Sequence, residues 1–153
     1  MKILAIDSSG LVASVAYVDG SVLRAEYTID YKKTHSQTLL PMLDEISRMV
    51  GIDASDVDAV AVACGPGSFT GLRIGSSTAK GICLASGKPL VEVPTLAGLA
   101  YNLFGARGLI CPIMDARRGQ VYNGLYRFDG ARLVTVEDQR ALSVEELAED
   151  LDR

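Results

Sequence analysis

The sequence has no tryptophan and a single histidine, His35. A metal site draws on two or more His, Cys or carboxylate groups at matched spacing, and neither HxxxH nor HExxH occurs here. A Ser-His-Asp nucleophile cannot be argued from one imidazole either. At the mouth of a predicted helix, His35 reads as a surface residue. Cysteine is scarce too. Cys64, Cys83 and Cys111 are far apart and form no CxxC pair, so a zinc knuckle or thioredoxin motif is unsupported. Each stands among apolar neighbours and is expected to be a buried, reduced thiol. No apolar run is long enough to span a membrane, and Met1-Lys2 leads straight into an alternating segment rather than a secretory leader. The expectation is a cytoplasmic protein with no membrane contact. Positive charge is also short. The formal net charge is -4, and the tightest basic clusters are Lys32-Lys33 and Arg117-Arg118. A chain that grips nucleic acid alone concentrates Lys and Arg, which disfavours that class.

What is present is a globular composition, 48% hydrophobic and 22% charged over 153 residues. Lys2–Asp7 reads as a strand, Asp7-Ser8-Ser9-Gly10 as a turn, and Leu11–Val18 as a second strand. Asp19-Gly20 is a hairpin signal, and Ser21–Ile29 a third strand. Thr34 with Gln37 predicts a capping box for a helix carrying Leu39, Leu43, Ile46 and Val50 at helical spacing. Pro41 removes a hydrogen bond there, so the helix either starts late, near Leu40, or is kinked. Val57–Cys64 is an apolar run of strand length, expected as a central strand buried on both faces. A helix over Thr70–Ala85, a strand over Leu90–Val93 and a helix from a Thr95 cap to about Phe104 follow.

The order then begins again. Leu109–Met114, Val121–Phe128 and Ala131–Val136 read as strands, and Ser143 with Glu146 forms a second capping box before a final helix running to Arg153. Its acidic residues read as a solvated face. Strand-turn-strand at Asp7–Val18 and again at Asp115–Phe128 suggests two lobes of similar topology, 1–106 and 107–153. Three strands and one helix bury little apolar surface, so the second lobe is expected to be incomplete.

Two segments could carry chemistry. Asp7, Ser8, Ser9 and Gly10 stand where backbone amides of a hairpin can bind an anion. Such hairpins need an uncovered backbone, and only Gly10 supplies it, so an ordinary Asx-turn is the preferred reading. The stretch Gly65-Pro66-Gly67-Ser68-Phe69-Thr70-Gly71-Leu72-Arg73-Ile74-Gly75 is neither a phosphate-binding P-loop nor a dinucleotide fingerprint. A helix start can hold an anion. Alternatively Gly71, Gly75, Ala79 and Cys83, at four-residue spacing, form a face of small side chains that another helix can approach. Each interior glycine costs roughly 1 kcal/mol against alanine, which favours the packing reading.

Ile3–Ser9 (ILAIDSS), Thr34–Pro41 (THSQTLLP), Gly65–Gly75 with Ala79-Lys80-Gly81, and Met114–Tyr122 (MDARRGQVY) together resemble the TsaB (YeaZ) family. They cover nearly the whole chain, and the glycine segment is the most specific of them. The resemblance implies an α/β, actin-like (ribonuclease H-like) ATPase fold, a mixed sheet flanked by helices. In this reading Asp7–Gly10 is a vestigial phosphate hairpin. The resemblance also implies a non-catalytic subunit beside the paralogue TsaD. TsaD transfers a threonylcarbamoyl group from an adenylate to N6 of the adenosine at position 37 of tRNAs reading codons that begin with A. TsaC makes that adenylate, and TsaE is a further ATPase partner. No cofactor is implied for this chain alone; ATP and a TsaD-held metal belong to the complex, and tRNA is reached only through it. In TsaD a His-x-x-x-His pair holds the metal. Here Thr95 and Leu99 take those places, and leucine cannot coordinate. The family implies that the first-lobe helices bind TsaD, or a second copy when TsaD is absent, through Leu39, Leu43, Ile46, Gly71, Leu72, Gly75 and Ala79. Competing readings are a glycoprotease-like metallopeptidase and a small-molecule kinase or ATPase of the actin-like class.

Overall fold

The structure, a computed structural model, describes residues 1–30 and 34–152. Lys32-Lys33 and the helix end at Arg153 lie outside the described residues. The chain divides into two compact units, Met1–Val93 and Pro94–Arg153.

The first unit is a mixed sheet. Strands β1 (Lys2–Asp7), β2 (Ala13–Asp19) and β3 (Val22–Ile29) form an antiparallel meander. Strand β4 (Ala59–Ala63) runs parallel to β1, and β5 (Leu90–Val93) parallel to β4, giving the order β3-β2-β1-β4-β5. The apolar run at 57–64 therefore becomes an inner strand. Val60 is fully buried, while Cys64 at its end is exposed. Partial desolvation of the Cys64 sulfur by its neighbours, and then the nearby Glu92 carboxylate, push its thiol pKa up even though the residue is exposed. Cys83 and Cys111 are half-buried, so no cysteine is a fully buried thiol.

Helix α1 (His35–Val50) lies over β2 and β3, and α2 (Phe69–Ser86) over β4 and β1. Leu39, Met42, Leu43 and Ile46 of α1 close the core against Leu4, Ile6, Val15, Tyr17, Val60 and Val62. Each such side chain contributes about 1.5–3 kcal/mol by leaving water. Helix α1 starts at His35 and continues through Pro41. Pro41 and Gln37, whose carbonyl loses its partner, both sit on the exposed side. The capping box at Thr34 does not form, because the Thr34 hydroxyl pairs with Ser36 Oγ at 2.9 Å.

The second unit repeats the opening order. Strands β6 (Ile113–Arg117), β7 (Gln120–Asp129) and β8 (Arg132–Ser143) form an antiparallel sheet followed by α4 (Val144–Leu151). The strand expected at 109–114 is displaced, with Ile110 making only an isolated bridge to Tyr126. Strand β8 runs well beyond its expected end at Val136. Helix α3 (Thr95–Tyr101) packs Leu96 and Ala100 against Ile110 and Tyr126. That is why the units divide at Val93/Pro94, ahead of the boundary expected at 106/107. Thr95 is the first residue of α3 rather than its cap, and its buried Oγ1 has no partner.

The capping box at Ser143 forms in full. Ser143 Oγ accepts from the Glu146 N–H at 3.1 Å, and Glu146 Oε2 from the Ser143 N–H at 2.8 Å. Ser143→Ala should therefore lower stability by about 1 kcal/mol, and Thr34→Ala by only a few tenths. Urea denaturation of the two variants separates them, and equal losses would contradict the assigned caps.

Candidate functional site

The segments singled out for chemistry meet in the first unit. Between β1 and β2 the chain turns at Asp7–Gly10, and the turn is an Asx-turn. Asp7 Oδ1 accepts from the Ser9 N–H at 2.8 Å and from Ser9 Oγ at 2.7 Å. The turn is driven against the start of α2. Ser8 Oγ donates to the Gly71 carbonyl at 2.8 Å, and the Ser68 N–H donates to the Ser9 carbonyl at 2.6 Å. His35 Nε2 lies 2.9 Å from the Gly10 carbonyl, which can only accept, so that nitrogen carries the proton. Ser8 and Ser9 are 2% and 4% exposed.

Three glycines make this approach possible. A Cβ on Gly71 would overlap the Ser8 carbonyl and one on Gly67 the Ser9 carbonyl, while one on Gly75 would overlap Ser8 Oγ. A Cβ on Gly71 would also come to 3.1 Å from the His35 ring. The small face predicted for α2 is real, but its partner is the β1–β2 turn of the same chain rather than another molecule's helix.

The placement corrects most of the predicted partner surface. Leu39, Leu43 and Ile46 are core residues at 1%, 6% and 3% exposure, and Gly71, Gly75 and Ala79 are buried against the turn and sheet. Of the expected interface residues only Leu72 keeps partial exposure. Substituting Gly75 consequently attacks the fold, not a docking face. His35, read as a surface residue, is half-buried and holds the turn.

Asp7, Ser8, Ser9 and Gly10 do not suit a phosphate cradle. The Ser9 amide and hydroxyl are taken by Asp7, and the Ser8 hydroxyl by Gly71. The space an anion would fill is lined by buried carbonyl oxygens of Ser8 and Ser9 pressed on α2. Carbonyl oxygens repel phosphate oxygens.

The exposed parts of the two helices form a groove instead. It has a volume of about 450 Å³ and is lined by Ser36, Leu40, Phe69, Arg73, Ser77 and Thr78, among others. Leu40 and Phe69 are 59% and 71% exposed, and the Arg73 guanidinium stacks 5.3 Å from the Phe69 ring centroid. On α3, Thr95 is buried and Leu99 partly exposed one turn later. Among the described residues, no three His, Cys, Asp or Glu side chains gather into an ion-holding group. No helix among them is long and apolar enough to cross a membrane.

The family model described as tRNA N6-adenosine threonylcarbamoyltransferase, TsaD, matches residues 23–151. The tRNA threonylcarbamoyladenosine biosynthesis protein TsaB of Bacillus subtilis is 38% identical over 100% of this chain and 68% of its own length. The chain belongs to the TsaB family. Its Escherichia coli member is 36% identical over 84% of this chain and 56% of that protein, so the chain spans between about half and two thirds of these relatives. YeaZ from Pseudomonas aeruginosa superposes with a TM-score of 0.82 at 31% identity, covering 92% of this chain and 67% of that one. The fold is the actin-like one expected from the sequence, a mixed sheet flanked by helices.

The turn-on-helix contact yields a sharp test. Gly75→Ala should destabilise by about 1–3 kcal/mol through overpacking, despite the helix propensity it gains. In a Ser8→Ala background the obstructing Oγ is gone, and the same substitution should cost at least about 1 kcal/mol less. Gly71→Ala, which meets backbone, should not be rescued. A double-mutant cycle by denaturation measures this, and additive Ser8 and Gly75 effects would remove the contact from the account.

Proposed function

We propose that this chain is a non-catalytic subunit that docks on a TsaD-type transferase. There it supports formation of N6-threonylcarbamoyladenosine at position 37 of tRNAs reading codons that begin with A. The observation that carries the reading is identity to TsaB relatives along the whole chain, in a unit whose candidate phosphate turn is filled by its own helix. A kinase or ATPase of this fold needs that turn open to phosphate, so the turn's closure argues for a supporting role. Thr95 and Leu99, where the paralogue is expected to carry its metal-binding histidines, argue the same way.

In this reading ATP and the metal are held by TsaD and neither by this chain alone. TsaC supplies the threonylcarbamoyl adenylate, TsaE joins as a further ATPase, and tRNA is reached through the complex in the cytoplasm. The docking face is the outer side of α1 and α2. Leu40 and Phe69 give apolar anchors, and the Arg73 guanidinium a polar edge, the mixture on which interface energy concentrates. A second copy of the chain takes the same face when TsaD is absent.

Leu40→Asp with Phe69→Asp should weaken co-purification with TsaD at least about tenfold, the cost of about 1.4 kcal/mol or more at an apolar anchor. Both side chains are exposed, so the melting temperature of the isolated chain should stay nearly constant. Threonylcarbamoyl transfer to tRNA by TsaD should need the native chain and fail with the variant. Transfer by the isolated chain, or full TsaD binding by the variant, would contradict the proposal.

A further inference from the structure

The basic pair Arg117-Arg118 takes no part in the first-unit site. It forms the tip of the β6–β7 hairpin. Arg117 pairs with Gln120, which leaves Arg118-Gly119 as a two-residue turn. Arg117, Arg118 and Gly119 have φ of 67°, 55° and 74°. Such a turn normally takes Asn-Gly, because the Cβ of an L residue crowds the following carbonyl in the left-handed region and the short polar side chain of asparagine offsets that cost by bonding locally to the backbone. Arg117 and Arg118 are the only non-glycine residues with positive φ among those described. Both are exposed, and the ion pairs found among the described residues use Arg24, Arg48 and Arg140 instead. Asp115, the nearest acid in sequence, turns its Oδ1 to the Arg117 N–H at 2.7 Å and so fixes the tip. Glu146, at the start of α4 beyond the Ser143 that pairs with Gln120, has an oxygen bound by the Ser143 N–H.

Two adjacent guanidinium groups are thus held at an exposed tip, at a backbone cost that asparagine at Arg118 would offset. Strained backbone of this kind concentrates where a side chain does work that packing does not require. In an acidic chain, contact with a polyanion must come from a local basic projection. Guanidinium pairs match phosphate oxygens bidentately. We infer that the Arg117-Arg118 tip of the β6–β7 hairpin grips the phosphate backbone of RNA. The inference rests on the proposed function, since it names the tip as this subunit's own contact with the tRNA substrate.

The test uses the full chain in complex with TsaD, with tRNA binding followed by filter retention across a salt series. Arg117→Gln with Arg118→Asn should lower affinity about tenfold near 100 mM salt. The magnitude of the log–log salt slope should fall by about one per arginine removed. Arg117→Lys with Arg118→Lys should keep most of the slope. Arg118→Asn alone should raise the melting temperature, since asparagine favours the left-handed backbone of this turn. Unchanged affinity and slope in the charge-removed complex would overturn the inference. So would loss of TsaD association with tRNA binding intact, which would make the tip a contact for an acidic protein surface. If the native chain does not bind TsaD, the proposed function fails, and the inference, which concerns the tip within that complex, falls with it.

Discussion

The β1–β2 turn and the first two turns of α2 lie closer together than side chains would permit. Ser8 presents its carbonyl to the bare Cα of Gly71 and its hydroxyl to that of Gly75, while the Ser9 carbonyl faces Gly67 and accepts from the Ser68 N–H. Hydrogen bonds made at this range have no room for water, and an unmade partner there would cost about 1–3 kcal/mol. The contact fixes where α2 enters the unit. That entry lays Ala79 on the core beside Val60 and Val62, and it brings His35 of α1 to the same turn. Glycine at these positions sacrifices helix propensity, and the sacrifice is returned as a close junction between the sheet and both helices.

The same contact decides what the unit can do. Groups that would face a phosphate in an open hairpin face the chain's own backbone. Because the glycine face is turned inward, the outer face of α2 is left to polar and isolated large residues. Phe69 and Arg73, together with Leu40 across the groove, become the exposed features a partner would meet. A turn filled by internal packing and an exposed two-helix groove are the features on which the proposed supporting role rests.

Much of this was legible in the residues. Turn residues at Asp7–Gly10 and Asp19-Gly20 mark the opening meander, an unbroken apolar run marks the inner strand β4, and Ser143 with Glu146 marks the start of α4. The glycine spacing in α2 correctly announced a close approach. Periodicity states that a face is small or apolar, but not what covers it. Hence Leu39, Leu43 and Ile46 were as compatible with a partner surface as with a core, and the sheet claimed them. Thr34 looked like a cap because spacing cannot foresee that Ser36 Oγ would take its hydroxyl. The role of His35 depends on Gly10, 25 residues away in sequence, and no local signal encodes that pairing. The exposure of Cys64 and the early unit boundary at Pro94 likewise follow from tertiary packing: a strand end left uncovered, and Leu96 and Ala100 of α3 drawn to Tyr126.

The β1–β2 turn is closed by α2 rather than open to a ligand. Amide resonances of Asp7–Gly10 and Ser68, followed by NMR while ATP and magnesium are added to the isolated chain, report on this directly. With the turn closed, the hydrogen-bonded Ser9 and Ser68 amides should exchange with solvent far more slowly than those of an open loop, and none of these resonances should shift. Saturable shifts confined to the turn, with Ser9 and Ser68 amides exchanging freely before ATP is added, would contradict it.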